Sequence, residues 1–148
     1  MKTKDKAVLV TGANRGIGWA LVEQALKRGA KRVYAGTRQP FAHSDERVTP
    51  LILDVTNAEQ IQRAVEHVGS LDILINNAGI AIYDDLSNLD VIEQHLAVNF
   101  VGLFKVTHAF LPLLRRSKGA IVNNLSLAAL TALPVNPRTP FRRPPRST

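Results

Sequence analysis

The sequence predicts an α/β protein built on a doubly wound, mainly parallel sheet of about five strands. Three observations predict it. Short continuous apolar runs recur along the chain, as strands buried on both faces do. Stretches with helical apolar spacing alternate with them, which implies right-handed β-α-β crossovers. A glycine-rich turn, TGANRGIG, joins the first apolar run to the first helical stretch.

AVLVTG (7–12) is the first strand. GIGWALVEQALKRGA follows as a helix, with Ile17, Leu21, Val22, Ala25 and Leu26 on one stripe and Gly29 as its stop. KRVYAGT (31–37) is the second strand. RQPFAHSDE is too short and broken for a full crossover helix and is read as a loop with at most one turn. RVTPLILDV (47–55) holds the third strand. Asp54 to Asn57 then opens a helix carrying Ile61, Ala64, Val65 and Val68. LDILINNAG (71–79) is the fourth strand, residues 88–115 form a long helical stretch in one or two parts, and GAIVNNLS (119–126) is the fifth strand.

Composition bounds the function. The chain has 148 residues, 45% of them hydrophobic, and no cysteine, so thiol chemistry and disulfides are excluded. No uninterrupted apolar run reaches the roughly 18 residues of a membrane span. The apolar stretch near the start is shorter than a signal peptide's core of about 7–15 residues. A cytoplasmic location without membrane contact is expected. The net charge of +7 is concentrated late. Residues 136–148 hold Arg138, Arg142, Arg143 and Arg146 with four prolines and no acid. The expected organisation is a dinucleotide-binding domain over 1–135 and an Arg/Pro-rich tail over 136–148. No aromatic interleaving supports specific nucleic-acid contact.

The glycine turn carries the chemistry. Gly12, Gly16 and Gly18 sit where a tight turn, an approach of backbone to phosphate and close helix-on-strand packing each exclude a side chain. The helix that follows offers free N–H groups and a partial positive charge to a pyrophosphate. The spacing is G-xxx-G-x-G. With it come LDVT (53–56), NNAG (76–79), VNFVG (98–102) and IVNNLS (121–126), in that order. On these motifs the chain resembles the short-chain dehydrogenase/reductase family over about residues 5–135.

The resemblance implies a Rossmann-type fold, incomplete here because the family's later strands and helices are missing, and a nicotinamide cofactor. It implies cofactor contacts from Gly12, Asn14, Arg15, Gly16, Ile17 and Gly18, from Asp54 and Val55 to the adenine, and from Asn77, Ala78 and Gly79. The slot at the end of the second strand reads Thr37-Arg38, without the carboxylate that selects NAD. Arg38 and Arg15 can pair with a 2′-phosphate, so NADP(H) is expected in preference to NAD(H). The plain alternative is that both arginines are solvated surface residues, and that Asn76 and Asn77 only satisfy backbone at the strand end. Asp84 and Asp85 read as solvated loop carboxylates. His43, His67, His95 and His108 lack metal-ligand spacing and read as surface or packing residues, so no metal is expected. Asn124-Leu125-Ser126 fits a glycosylation pattern, discounted because the strand is expected to be buried.

The catalytic set is broken. In the family an asparagine, a serine, a tyrosine and a lysine carry the chemistry, on a small alcohol or carbonyl substrate and often in a homo-oligomer. Asn99 and Ser126 match the first two. The tyrosine and lysine slots hold Thr139 and Arg143. Either alone would be strand-end or helix-interior structure, and the lost pair predicts an inactive or nearly inactive chain. The alternative is a non-catalytic dinucleotide-binding or regulatory protein with a basic tail. The tail's residues can be encoded by codons that, one frame over, read Tyr-Ser-Ile-Ser-Lys, so an out-of-frame tail on a truncated family member is expected. A selected basic tail is the competing reading, and sequencing the DNA across codons 130–148 separates them.

Overall fold

The structure, a computed structural model, describes residues 3–82 and 88–126. Asp84, Asp85, Thr139, Arg143 and the rest of the 136–148 tail lie outside the described residues. The order is β1 (Ala7–Thr11), α1 (Gly16–Lys27), β2 (Arg32–Thr37), β3 (Val48–Ile52), α2 (Ala58–His67), β4 (Ile73–Asn76), α3 (Leu89–His95), a π-helical segment (Leu96–Gly102), α4 (Leu103–Ser117) and β5 (Ala120–Asn123). All five strands pair in parallel, in the order β3-β2-β1-β4-β5. The chain leaves β1 in both directions, first to β2 and later to β4. The end of β1 is therefore the topological switch point, where open α/β sheets bind ligands.

The two faces of the sheet sort by strand alternation. Val8, Val10, Val33, Ala35, Ile73 and Ile75 point to the side covered by α1, meeting Val22, Ala25 and Leu26. Ala7, Leu9, Tyr34 and Leu74 point to the other side, meeting Ile61 and Ala64 of α2 and Val106, Phe110, Leu113 and Leu114 of α4. Pro50 is tolerated in β3 because that strand lies at the sheet edge. Asp72, just before β4, accepts from the Ala7 N–H at 2.8 Å and from Lys6 Nζ at 3.0 Å, tying the start of β4 to the start of β1.

Several expectations are corrected. Strand β1 stops at Thr11, because Gly12 turns into the left-handed region at φ 65°. Ile17 is not on the packed stripe of α1 but is 64% exposed. The segment between β2 and β3 has no helix, in line with its reading as a loop. Strand β5, expected to be buried, is exposed at every position. Residues Leu89–Ser117 form one continuous helical stretch of 29 residues, long and apolar enough to cross a membrane by length and composition. It does so without an uninterrupted apolar run, and four α4 side chains dock into the core.

Candidate dinucleotide site

A cleft of about 670 Å³ opens at the switch point. Its floor is the β1-to-α1 turn. Gly12 and Gly16 both adopt positive φ, at 65° and 54°. A Cβ on Gly12 would press on Ala78 Cα at 2.9 Å, and one on Gly18 would overlap the Gly12 carbonyl and meet Asn77 Nδ2 at 2.6 Å. These two glycines are demanded by packing. Gly16 differs, because a Cβ there would meet nothing within 4 Å. It opens onto space that a ligand can fill.

The start of α1 is chemically open. Its N-cap is Arg15, whose side chain makes no capping hydrogen bond, and its first turn carries no acid. The N–H groups there lack a side-chain acceptor and favour an anion. Arg15 and Arg38 both line the same cleft. Glycine room, open N–H groups and two guanidinium groups fit a dinucleotide phosphate.

Asn77 holds the turn in place. Its Nδ2 donates to the Thr11 carbonyl at 2.9 Å and the Gly12 carbonyl at 3.2 Å. Its Oδ1 accepts from Asn124 Nδ2 at 2.9 Å, and Thr11 Oγ1 accepts from the N–H groups of Asn77 and Ala78 at 3.0 Å. The ends of β1, β4 and β5 are thus one polar lattice. Asn76 braces from behind, donating to Thr107 Oγ1 and Asn123 Oδ1 at 2.9 Å each. Asp54 Oδ1 accepts from the N–H and hydroxyl of Thr56, which fixes the wall that Val55 and Thr56 present.

All twelve residues read from the sequence as cofactor contacts line this cleft: Gly12, Asn14, Arg15, Gly16, Ile17, Gly18, Arg38, Asp54, Val55, Asn77, Ala78 and Gly79. Asn99 and Ser126 are not among its lining residues. Asn99 sits in the π-helical segment and grips a backbone unit, accepting from the Ile80 N–H at 2.8 Å and donating to the Ile80 carbonyl at 2.9 Å. Ser126 follows β5 by three residues and is exposed. Asn124 is exposed as well, so burial is no ground for discounting its glycosylation pattern; its amide is instead engaged with Asn77.

Sequence reasoning missed three contributors. His95 accepts from the Ile82 N–H at 3.0 Å through Nε2 and donates from Nδ1 to the Val91 carbonyl at 2.8 Å, so with Asn99 it pins residues 80–82. Gly102 lets the helix pass Val55, whose Cγ2 would lie 2.7 Å from an added Cβ. Asn124 joins the cleft wall. Gly102 and Asn124 had a signal, their places in VNFVG and IVNNLS, whereas His95 had none. No group of three or more His, Cys, Asp or Glu suited to a metal occurs among the described residues.

The family described as short chain dehydrogenase matches residues 6–138. The chain is 40% identical to estradiol 17-beta-dehydrogenase 2 of Mus musculus, across 86% of this chain and 38% of that protein. It is 32% identical to the mitochondrial D-beta-hydroxybutyrate dehydrogenase of Rattus norvegicus, across 92% of this chain and 45% of that one. A short chain dehydrogenase from Burkholderia cenocepacia solved in complex with NADP superposes with TM-score 0.86 at 37% identity, over 90% of this chain and 59% of that chain. One from Leptospira borgpetersenii with bound NAD+ gives 0.80 at 26% identity, over 89% and 56%. The chain spans less than half the length of the two curated relatives named here.

Proposed function

The chain belongs to the short-chain dehydrogenase family, and on that premise we propose that it binds NADP(H) in preference to NAD(H) in the cleft at the end of β1, without turning over substrate. The observation that carries this is the uncapped start of α1, facing a cleft that Arg15 and Arg38 both line. The N–H groups of the turn and helix hold the pyrophosphate, and the two arginines take the 2′-phosphate by charge-assisted bonds. Asp54 and Val55 border the adenine, and Asn77 to Gly79 border the ribose and nicotinamide. When bound, the cofactor supplies a hydride to or from an alcohol or carbonyl.

Ser126 is suited to hydrogen-bond a substrate oxygen, and Asn99 supports the loop around Ile80. What the chain lacks is the proton donor. No tyrosine follows Tyr83 and no lysine follows Lys118. The family match stops at residue 138, just before Thr139. A threonine hydroxyl lacks the acidity for general-acid work near neutrality, and an arginine at the lysine slot does not reproduce a compact ammonium. The related proteins' alcohol and carbonyl chemistry supports the substrate class, and the tail's Arg/Pro text supports an out-of-frame reading of the 136–148 tail.

The test is direct. Fluorescence titration should show NADPH binding tighter than NADH, with Arg38→Ala erasing the difference. A panel of carbonyl compounds with NADPH should give no turnover. Turnover that is abolished by Ser126→Ala overturns the inactive reading. Equal affinity for the two dinucleotides overturns the NADP(H) preference.

A further inference from the structure

Residues 38–47 take the place of a crossover helix, and side chains dock them onto α1. Trp19, in the first turns of α1, meets the His43 ring at 5.0 Å between centroids and Phe41 edge-on at 6.2 Å. The His43 side chain is only 6% exposed, and both ring nitrogens are engaged. Nδ1 accepts from the Asp45 N–H at 3.0 Å. Nε2 therefore carries the proton and donates to Glu23 Oε1 of α1 at 2.9 Å. Arg47 closes the far end. It pairs with Asp45, whose carboxyl it holds down at about 2, and it donates from Nη1 toward the carbonyls of Leu26 and Ala30.

None of Trp19, Glu23 and His43 lines the dinucleotide cleft. An apolar residue would serve for packing alone, whereas an imidazole with two directed bonds fixes orientation. Arg15 stands one turn before Trp19, whose N–H donates to the Arg15 carbonyl at 3.2 Å. Arg38 opens the docked segment, and Thr37 Oγ1 donates to the Gln39 carbonyl at 2.6 Å, fixing the bend there. Trp19 and His43 thus tie the segment that begins at Arg38 to the helix that begins just after Arg15.

We infer that Trp19, Glu23 and His43 are positioning residues that set the placement of Arg38 relative to Arg15, and so determine discrimination between NADP(H) and NAD(H). This rests on the cofactor preference proposed above. A guanidinium bonds a phosphate well only in a narrow geometry, so a segment that undocks loses the phosphate contact while leaving the pyrophosphate turn intact.

The experiment measures Kd for NADPH and NADH by fluorescence titration on the full chain and its variants. His43→Leu should weaken NADPH about tenfold, as loss of one ion-assisted contact would, and leave NADH within about twofold. His43→Asn offers an amide oxygen to the Asp45 N–H and should recover most of the loss. Glu23→Gln, at a half-exposed site that folding tolerates, should weaken NADPH about two- to threefold. Trp19 is the chain's one tryptophan, so its emission reports docking independently of dinucleotide; both variants remove the imidazole ring beside it, and the shift should be larger in His43→Leu than in His43→Asn. A wild-type protein with no preference overturns the cofactor reading and this one with it. A preference that Arg38→Ala removes, but that His43→Leu and Glu23→Gln leave intact, overturns the positioning role alone.

Discussion

Strand β1 reads AVLVT and β5 reads AIVN. Both lie in one parallel sheet, yet every residue of β1 is buried and every residue of β5 is exposed. The difference lies in what surrounds them. β1 has strands on both sides, α1 over one face and the α2/α4 layer over the other. Among the described residues β5 has a neighbouring strand on one side, and its Ile121 and Val122, with Leu125 just beyond it, are exposed. The helical stretch beside it behaves in the same way: Leu96, Phe100 and Phe104 recur every fourth residue and are exposed, while Val106, Phe110 and Leu113 are buried. Apolar text specifies what a segment becomes, and the cover it receives is decided elsewhere in the fold.

The sharpest way to break this contrast is within α4. Phe110→Ala should cost about 3–5 kcal/mol, because it empties a sealed core position, and thermal melts should show the transition collapse. Phe104→Ala, at an exposed position, should move it by less than about 0.5 kcal/mol. Comparable losses at the two sites would mean that Phe104 is covered in solution, in which case sedimentation should reveal an oligomer.

The next test addresses the tie between the halves. Burial pushes the Asp72 carboxyl up, but the Ala7 N–H and the Lys6 ammonium outweigh it and hold it below the usual carboxylate range. A group depressed on folding stabilises fully above its unfolded value of about 3.9 and loses that contribution as pH falls through its folded value. Asp72→Asn should therefore cost about 1.5–3 kcal/mol at neutral pH and flatten the acid limb of a stability-against-pH curve.

A smaller effect is expected at the turn. Gly16→Ala puts a side chain at φ 54°, costing about 1–2 kcal/mol. The added methyl enters the cleft, so dinucleotide affinity should fall by more than the melting shift implies. Smallest of all, Val122→Thr on β5 should change stability by no more than about 0.5 kcal/mol while lowering aggregation in light scattering, since it blunts an exposed strand edge.

Much of the dinucleotide cleft was legible in the residues. Positive-φ turns and close backbone approaches leave glycine as their signature, so Gly12, Gly16 and Gly18 could be read directly. The docking of residues 38–47 could not. Trp19 and Glu23 share one face of α1, but His43 lies twenty residues beyond Glu23 in a loop, and each is ordinary for its own element. The exposure of both faces of β5 was harder to read, because its apolar run AIV looks like that of a covered strand. Asn77 lay between the two cases: its motif was visible, while its bonds to Thr11, Gly12 and Asn124 were not.

The π-helical turns at Leu96–Gly102 act as a phase adjuster between two rigid rods. An ordinary helix advances about 100° per residue, and wider winding absorbs an extra residue that would otherwise rotate everything after it. His95 just before the segment and Asn99 within it keep their grip on residues 80–82; after it, Val106 and Phe110 still meet the sheet. Inserting one further residue between 96 and 102 would exceed what the wide winding absorbs and turn the two ends out of step, so that one face or the other must let go.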